Sequence, residues 1–119
     1  MISAEKELSG DKGYSIPIQK ALIYLRSHYK EGISLTEIAE KAGMNPSYFS
    51  TLFKSELGVG FTEYLSSLRM EEAKRLMEHG SYRMKNIMEQ CGFNHYSSFF
   101  TSLKKKYGVN PQQYRKEKQ

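Results

Sequence analysis

An all-α fold of about seven helices, arranged as two helix-turn-helix subdomains joined by a long linker helix, is predicted by three features of the sequence. The chain repeats itself; each copy has glycine where a tight turn needs it and asparagine where a helix start needs it; and the apolar residues between those marks recur at the helical period. The repeat is the strongest of the three. IAEKAGMN at 38–45 and IMEQCGFN at 87–94 superimpose at an offset of 49, each with an apolar pair, a spacer, glycine, an apolar residue and asparagine. The second copy then gains one residue, so that FSTLFKSELGV (49–59) matches FFTSLKKKYGV (99–109) at an offset of 50, with Tyr64 matching Tyr114. Two copies of one supersecondary unit are the natural reading.

The elements follow in chain order. Residues 1–15, MISAEKELSGDKGYS, are polar and read as a linker or an expression remnant. Ile18, Ala21, Leu22 and Leu25 mark a helix over roughly 17–30, which opens a first subdomain at 16–60. Ser34 and Glu37 form a capping box ahead of Leu35, Ile38, Ala39 and Ala42, and that short helix ends at Gly43, suited to a left-handed cap. Asn45 caps the next helix, with Pro46 at its first position, where the missing N–H costs nothing. Phe49, Leu52, Phe53 and Leu57 form its apolar stripe until Gly58. Two short helices across a tight glycine turn describe a helix-turn-helix.

A linker helix at 61–80 carries Phe61, Tyr64, Leu65, Leu68, Ala73, Leu76 and Met77 to about His79, with Gly80 as its stop. At ~1.5 Å per residue it is a rod of ~28 Å, near the ~34 Å between successive major-groove segments on one face of B-DNA. The second subdomain, 81–117, repeats the first: Met84, Ile87, Met88 and Cys91 on one helix, Gly92 at the turn, Asn94 as cap, then Phe99, Phe100, Leu103 and Tyr107 inward until Gly108. Arg83 and Asn86 replace the capping box, so its first helix should start less firmly. Asn110 and Pro111 open a short terminal helix through Tyr114.

Composition narrows the function. A chain of 119 residues, 39% hydrophobic, fits one domain or two very small subdomains sharing an interface, with enough apolar residues to fill a core without needing a metal or a disulfide. Cys91 has no partner in the chain, and with three scattered histidines neither a disulfide framework nor a zinc site is expected. No apolar run suits a membrane span or a signal peptide, which points to a cytoplasmic protein. No phosphate loop, paired apolar carboxylates or Ser/Cys–His grouping argues for an enzyme, and no cofactor is implied. The net charge of +5 lies wholly in residues 61–119, with eleven Lys/Arg against six Asp/Glu, while residues 1–60 carry seven of each. A polyanion would meet the second half first.

From Ile16 to Lys116 the sequence resembles the DNA-binding domain of AraC/XylS-type transcription regulators. The most specific stretch is GFNHYSSFFTSLKKKYGVNPQQYR (92–115), in which the Gly-Phe pair, Phe99, Lys104, Gly108, Pro111 and Tyr114-Arg115 match the family signature. FTEYLSSLRMEEAKRLM (61–77), with Arg69 and Ala73, is similar to the family's linker helix and closest to members fused to response-regulator receivers. Met88 stands where alanine is usual, Leu103 where phenylalanine is, and Ser98 where an aromatic is common; Thr51 and Thr101 fall where many members have arginine. The resemblance implies a homeodomain-like architecture and sequence-specific binding of double-stranded DNA through two recognition helices in adjacent major-groove segments. It also implies RNA polymerase as the partner of an activator, and an N-terminal sensor or receiver, beyond this sequence, that supplies signal and dimerisation.

Periodicity picks the DNA-facing side independently. With Phe49, Leu52, Phe53 and Leu57 inward, Ser47, Ser50, Thr51 and Lys54 share the opposite stripe, and Ser97, Thr101, Lys104 and Lys105 are the second copy's equivalents. The resemblance places base contacts at Ser47, Ser50, Thr51, Tyr96, Ser97 and Thr101. With the flanking Asn45, Tyr48 and His95, these residues make up the candidate site. Tyr96, one turn before Phe99 and Phe100, fits the core as well as a groove, and His95 fits a solvated first turn better than a base contact. Hydroxyls discriminate bases weakly and a threonine methyl can meet a thymine methyl, so modest direct readout supported by DNA shape is expected. The rival reading is a helical protein-interaction module; RNA is disfavoured because its deep A-form major groove excludes helices.

Overall fold

The computed structural model describes residues 13–79, 83–108 and 113. Among them the fold is all-α, with α1 at Ile16–His28, α2 at Leu35–Lys41, α3 at Pro46–Leu57, α4 at Phe61–His79, α5 at Met84–Gln90 and α6 at Tyr96–Tyr107. Of the terminal helix expected from Asn110 to Tyr114, Gln113 is helical and the rest lies outside the described residues. The chain divides into two compact units. The first holds the described residues up to His28 together with Ile33–Tyr64; the second holds Tyr29–Gly32 together with the described residues from Leu65 onward.

In the first unit, α1 buries Ile18, Ala21, Leu22 and Leu25 completely, the i, i+3, i+4, i+7 pattern of one helical face. They share a core with Ile38 and Ala39 of α2, Phe49 and Phe53 of α3, and Phe61. Ahead of α1, the Ser15 amide donates to Glu56 Oε1 at 2.8 Å and Gln19 Nε2 donates to the Tyr14 carbonyl at 2.7 Å. At the start of α2, Ser34 Oγ accepts from the Glu37 amide at 3.1 Å. The other half of the expected capping box is replaced by a tertiary bond, since Glu37 Oε2 accepts from the Tyr24 hydroxyl of α1 at 2.9 Å. A carboxylate at the third helical position reaches its own helix start or the neighbouring helix, and the phenol donor on α1 takes it here.

Gly43 makes the turn at φ 74°, and Asn45 then caps α3, its Oδ1 accepting from the amides of Ser47 at 2.8 Å and Tyr48 at 3.2 Å. These bonds satisfy two donors that a helix start otherwise leaves orphaned.

The second unit has its own core. Met70, Ala73, Leu76 and Met77 of α4 pack on Ile87, Met88 and Cys91, on Phe93 of the turn, and on Phe99 and Leu103 of α6, with Met84 and Tyr107 at the margin. Cys91 is fully buried, and that burial, with the Glu72 carboxylate adding to it, pushes the thiol up to about 12, so it stays protonated. As the missing capping box implies, Arg83 precedes α5 without a side-chain cap bond.

The expected cap of α6, Asn94, is corrected. The helix begins at Tyr96, its N-cap is His95, and the cap makes no side-chain hydrogen bond to the helix start. The residue inserted between the copies explains this: α6 follows the offset of 50, which puts His95 at the place of Asn45 and leaves Asn94 one step outside. Asn45→Ala is therefore expected to lower stability by about 1 kcal/mol and His95→Ala by a few tenths at most, compared by urea denaturation. Equal costs would show that the two helix starts are held alike.

Candidate nucleic-acid interface

The two candidate faces are built in the same way, each within its own unit. On α3, Phe49 and Phe53 are completely buried and anchor one side of the helix. Ser47, Tyr48, Thr51 and Lys54 are exposed along the other, and Ser50 is half-buried at the edge of the stripe. On α6, Phe99 and Leu103 are the buried anchors, and His95, Tyr96, Ser97, Thr101, Lys104 and Lys105 are exposed.

Local bonds decide what these side chains can offer. The Asn45 acceptor oxygen serves the start of α3, so of its amide group only the NH2 faces other partners. Thr51 Oγ1 donates back to the Ser47 carbonyl at 3.2 Å, which spends the hydroxyl proton inside the helix and leaves the methyl and the oxygen lone pairs for a ligand. A threonine presented this way suits a thymine methyl or a base amino group better than a base acceptor.

Tyr96 reconciles the two places the sequence allowed it. It is 44% exposed, yet its ring lies edge-on to Phe99 at 6.2 Å and tilted against Phe100 at 6.0 Å, so one flank rests on aromatics while the other is open. Tyr48, 61% exposed, stands at the second position after Pro46. Its counterpart at an offset of 50 is Ser98, also exposed and absent from the candidate set. The register of the repeat is the signal that would have found it.

The basic groups divide similarly. Lys41 lies over the Tyr24 ring at 5.3 Å, while Lys54 stands exposed on the candidate stripe of α3. Of the three lysines in the last turn of α6, Lys106 turns to Ser67 Oγ of α4 at 3.4 Å and over Tyr107 at 5.8 Å; Lys104 and Lys105 are exposed. Among the described residues no cluster of His, Cys, Asp or Glu is arranged to hold a metal, and no helix is long and apolar enough to cross a membrane.

A family model for a helix-turn-helix domain matches residues 38–117. The regulatory protein PocR of Salmonella typhimurium is 32% identical over 114 residues, and the chain spans 38% of its length. Among solved structures, the C-terminal domain of AraT, a response regulator from Geobacillus stearothermophilus, is similar with a TM-score of 0.81 at 33% identity, covering 87% of this chain and 86% of that one. The C-terminal domain of the two-component response regulator yesN from Fusobacterium nucleatum is similar with a TM-score of 0.75, also at 33% identity, covering 80% and 93%.

Proposed function

Since the chain belongs to the AraC/XylS-type helix-turn-helix family of DNA-binding transcription regulators, we propose that α3 and α6 are its reading helices, each presenting its hydroxyl-rich face to a major-groove segment of double-stranded DNA. One observation carries this reading. At the repeat's offset of 50, both helices bury the residue pairs 49/99 and 53/103 and expose 47/97, 51/101 and 54/104. Core packing requires the first set. The second set holds serine, threonine and lysine in both helices, types that contact base edges and phosphates.

The two heads act together as a monomeric reader of an asymmetric site. PocR is much longer than this chain, and AraT and yesN are response regulators represented by their C-terminal domains. The chain is accordingly the DNA-reading part of a longer regulator whose sensor or receiver supplies signal and dimerisation, with RNA polymerase as partner where it activates and the cytoplasm as its compartment.

Selection from a random duplex pool, followed by gel-shift titration with competitor DNA, tests the reading. Enrichment of one asymmetric site with two separated segments is the expected result. A protein-interaction module would enrich none. On the selected site, Ser47→Ala with Thr51→Ala should relax preference within one segment by roughly tenfold, the scale of one base contact, and leave the salt dependence nearly unchanged.

A further inference from the structure

Gly43 and Gly92 hold the same place in the two repeats, but their surroundings differ. Both have positive φ, 74° and 92°, which accounts for glycine at either. A Cβ on Gly43 would meet nothing within 4 Å, whereas one on Gly92 would lie 2.9 Å from the Tyr29 carbonyl oxygen and 3.0 Å from both Arg69 Nε and Lys30 Cα. The second turn therefore rests on something that the first lacks.

That support is the segment after α1, held by Arg69 of α4. Arg69 Nε donates to the Tyr29 carbonyl at 2.8 Å and Nη2 to the Glu31 carbonyl at 2.9 Å. The guanidinium is half-buried, and burial lowers its pKa from the usual value. Its planar fork fixes two carbonyls, two residues apart, with one rigid group. Gly92 sits directly against this clasp. Next in sequence, Phe93 is buried with its ring 5.3 Å from Phe99, the buried anchor of α6.

We infer that Arg69 is a positioning residue for DNA reading by α6: its guanidinium holds Tyr29–Gly32 as a shelf, the Gly92 turn rests on the shelf, and Phe93 passes that placement to Phe99. The inference rests on α6 being a reading helix. Arg69 itself contacts no DNA. The first unit's turn, open around Gly43, reads without such a shelf.

Affinities of Arg69→Ala, Arg69→Lys and Gly92→Ala would be measured on the selected duplex and on duplexes with either segment scrambled. Discrimination in the segment assigned to α6 by Ser97→Ala and Thr101→Ala should fall about tenfold in all three variants, and discrimination in the other segment should hold. Lysine should not rescue, because an ammonium cannot span both carbonyls. Rescue by lysine, with a salt slope about one unit flatter in the alanine variant, would make Arg69 a phosphate contact and overturn the inference. Equal loss in both segments would overturn it too.

Amide exchange is the second readout, and it needs no sequence preference. If the wild type selects no site, the proposed function fails, but α6 amides exchanging about tenfold faster in Arg69→Lys than in the wild type, with α3 amides unchanged, would still show the clasp holding α6. Unchanged α6 exchange would refute it.

Discussion

Replacing Phe53 with alanine is expected to remove about 3–5 kcal/mol of stability, a large part of the margin of a small domain that has about 5–15 in all. Phe53 is completely buried in α3, its ring centroid 5.6 Å from Phe49 and, edge-on, 5.6 Å from Tyr64 and 6.4 Å from Phe61. It thus joins the proposed reading helix to the residues that open α4. Truncation loses the transfer energy of a benzyl group and leaves a cavity whose walls are rings that cannot collapse into it. Tyr48→Ala on the same helix is the control. That side chain is 61% exposed, so its loss should change stability by no more than about 0.5 kcal/mol while weakening DNA binding. Urea denaturation and gel-shift titration separate the two effects. A Phe53→Ala variant within about 1 kcal/mol of the wild type would mean that α3 is not held by this aromatic cluster.

What the sequence made legible is what repeats locally. Phe49, Phe53, Phe99 and Leu103 are inward because their spacing follows the helical period, and Asn45 caps because its acceptor reaches only two or three residues ahead. Such signals lie within one turn of chain. The position of the α6 cap was not legible, because a repeat with offsets of 49 before an insertion and 50 after it does not say on which side of the extra residue the helix starts. The partner of Glu37 was hidden for a different reason: Tyr24 lies 13 residues earlier and meets it only after α1 and α2 pack. Arg69 was visible as a matching residue of the linker helix, but its role was not, since its acceptors are backbone carbonyls 38 and 40 residues away and every residue has a carbonyl. Within the candidate site, residue identities were legible and their commitments were not. Nothing in the order of letters says that Thr51 spends its proton on Ser47, or that Lys106 turns to Ser67 while Lys104 remains on the exposed stripe.

Replacing Lys104 and Lys105 together with glutamine is expected to flatten the slope of log K against log salt by about one to two units, because each neutralised phosphate contributes about −0.9. For two lost contacts, a fourfold rise in salt would then weaken the wild type roughly twelvefold more than the variant. The charges motivate placing this term in the second head. Residues 34–64 set Lys41 and Lys54 against Glu37, Glu40, Glu56 and Glu63, whereas residues 83–114 set Arg83, Lys85, Lys104, Lys105 and Lys106 against Glu89. The structure sharpens the contrast: Lys41 covers the Tyr24 ring, which leaves Lys54 as the cation on the exposed stripe of α3. If α3 and α6 read DNA as proposed, the first head is expected to gain its affinity by fitting its groove segment and the second to gain much of its affinity by neutralising phosphate. Lys106→Gln supplies the internal control. Its ammonium reaches Ser67 Oγ, so its removal should move the slope less than removal of Lys104 alone. Titrations on the selected and scrambled duplexes at several salt concentrations should show the Lys104/Lys105 variant weakened about equally on both. Equal slopes for wild type and that variant, with sequence preference lost instead, would mean that the lysines read bases and that the phosphate contacts lie elsewhere.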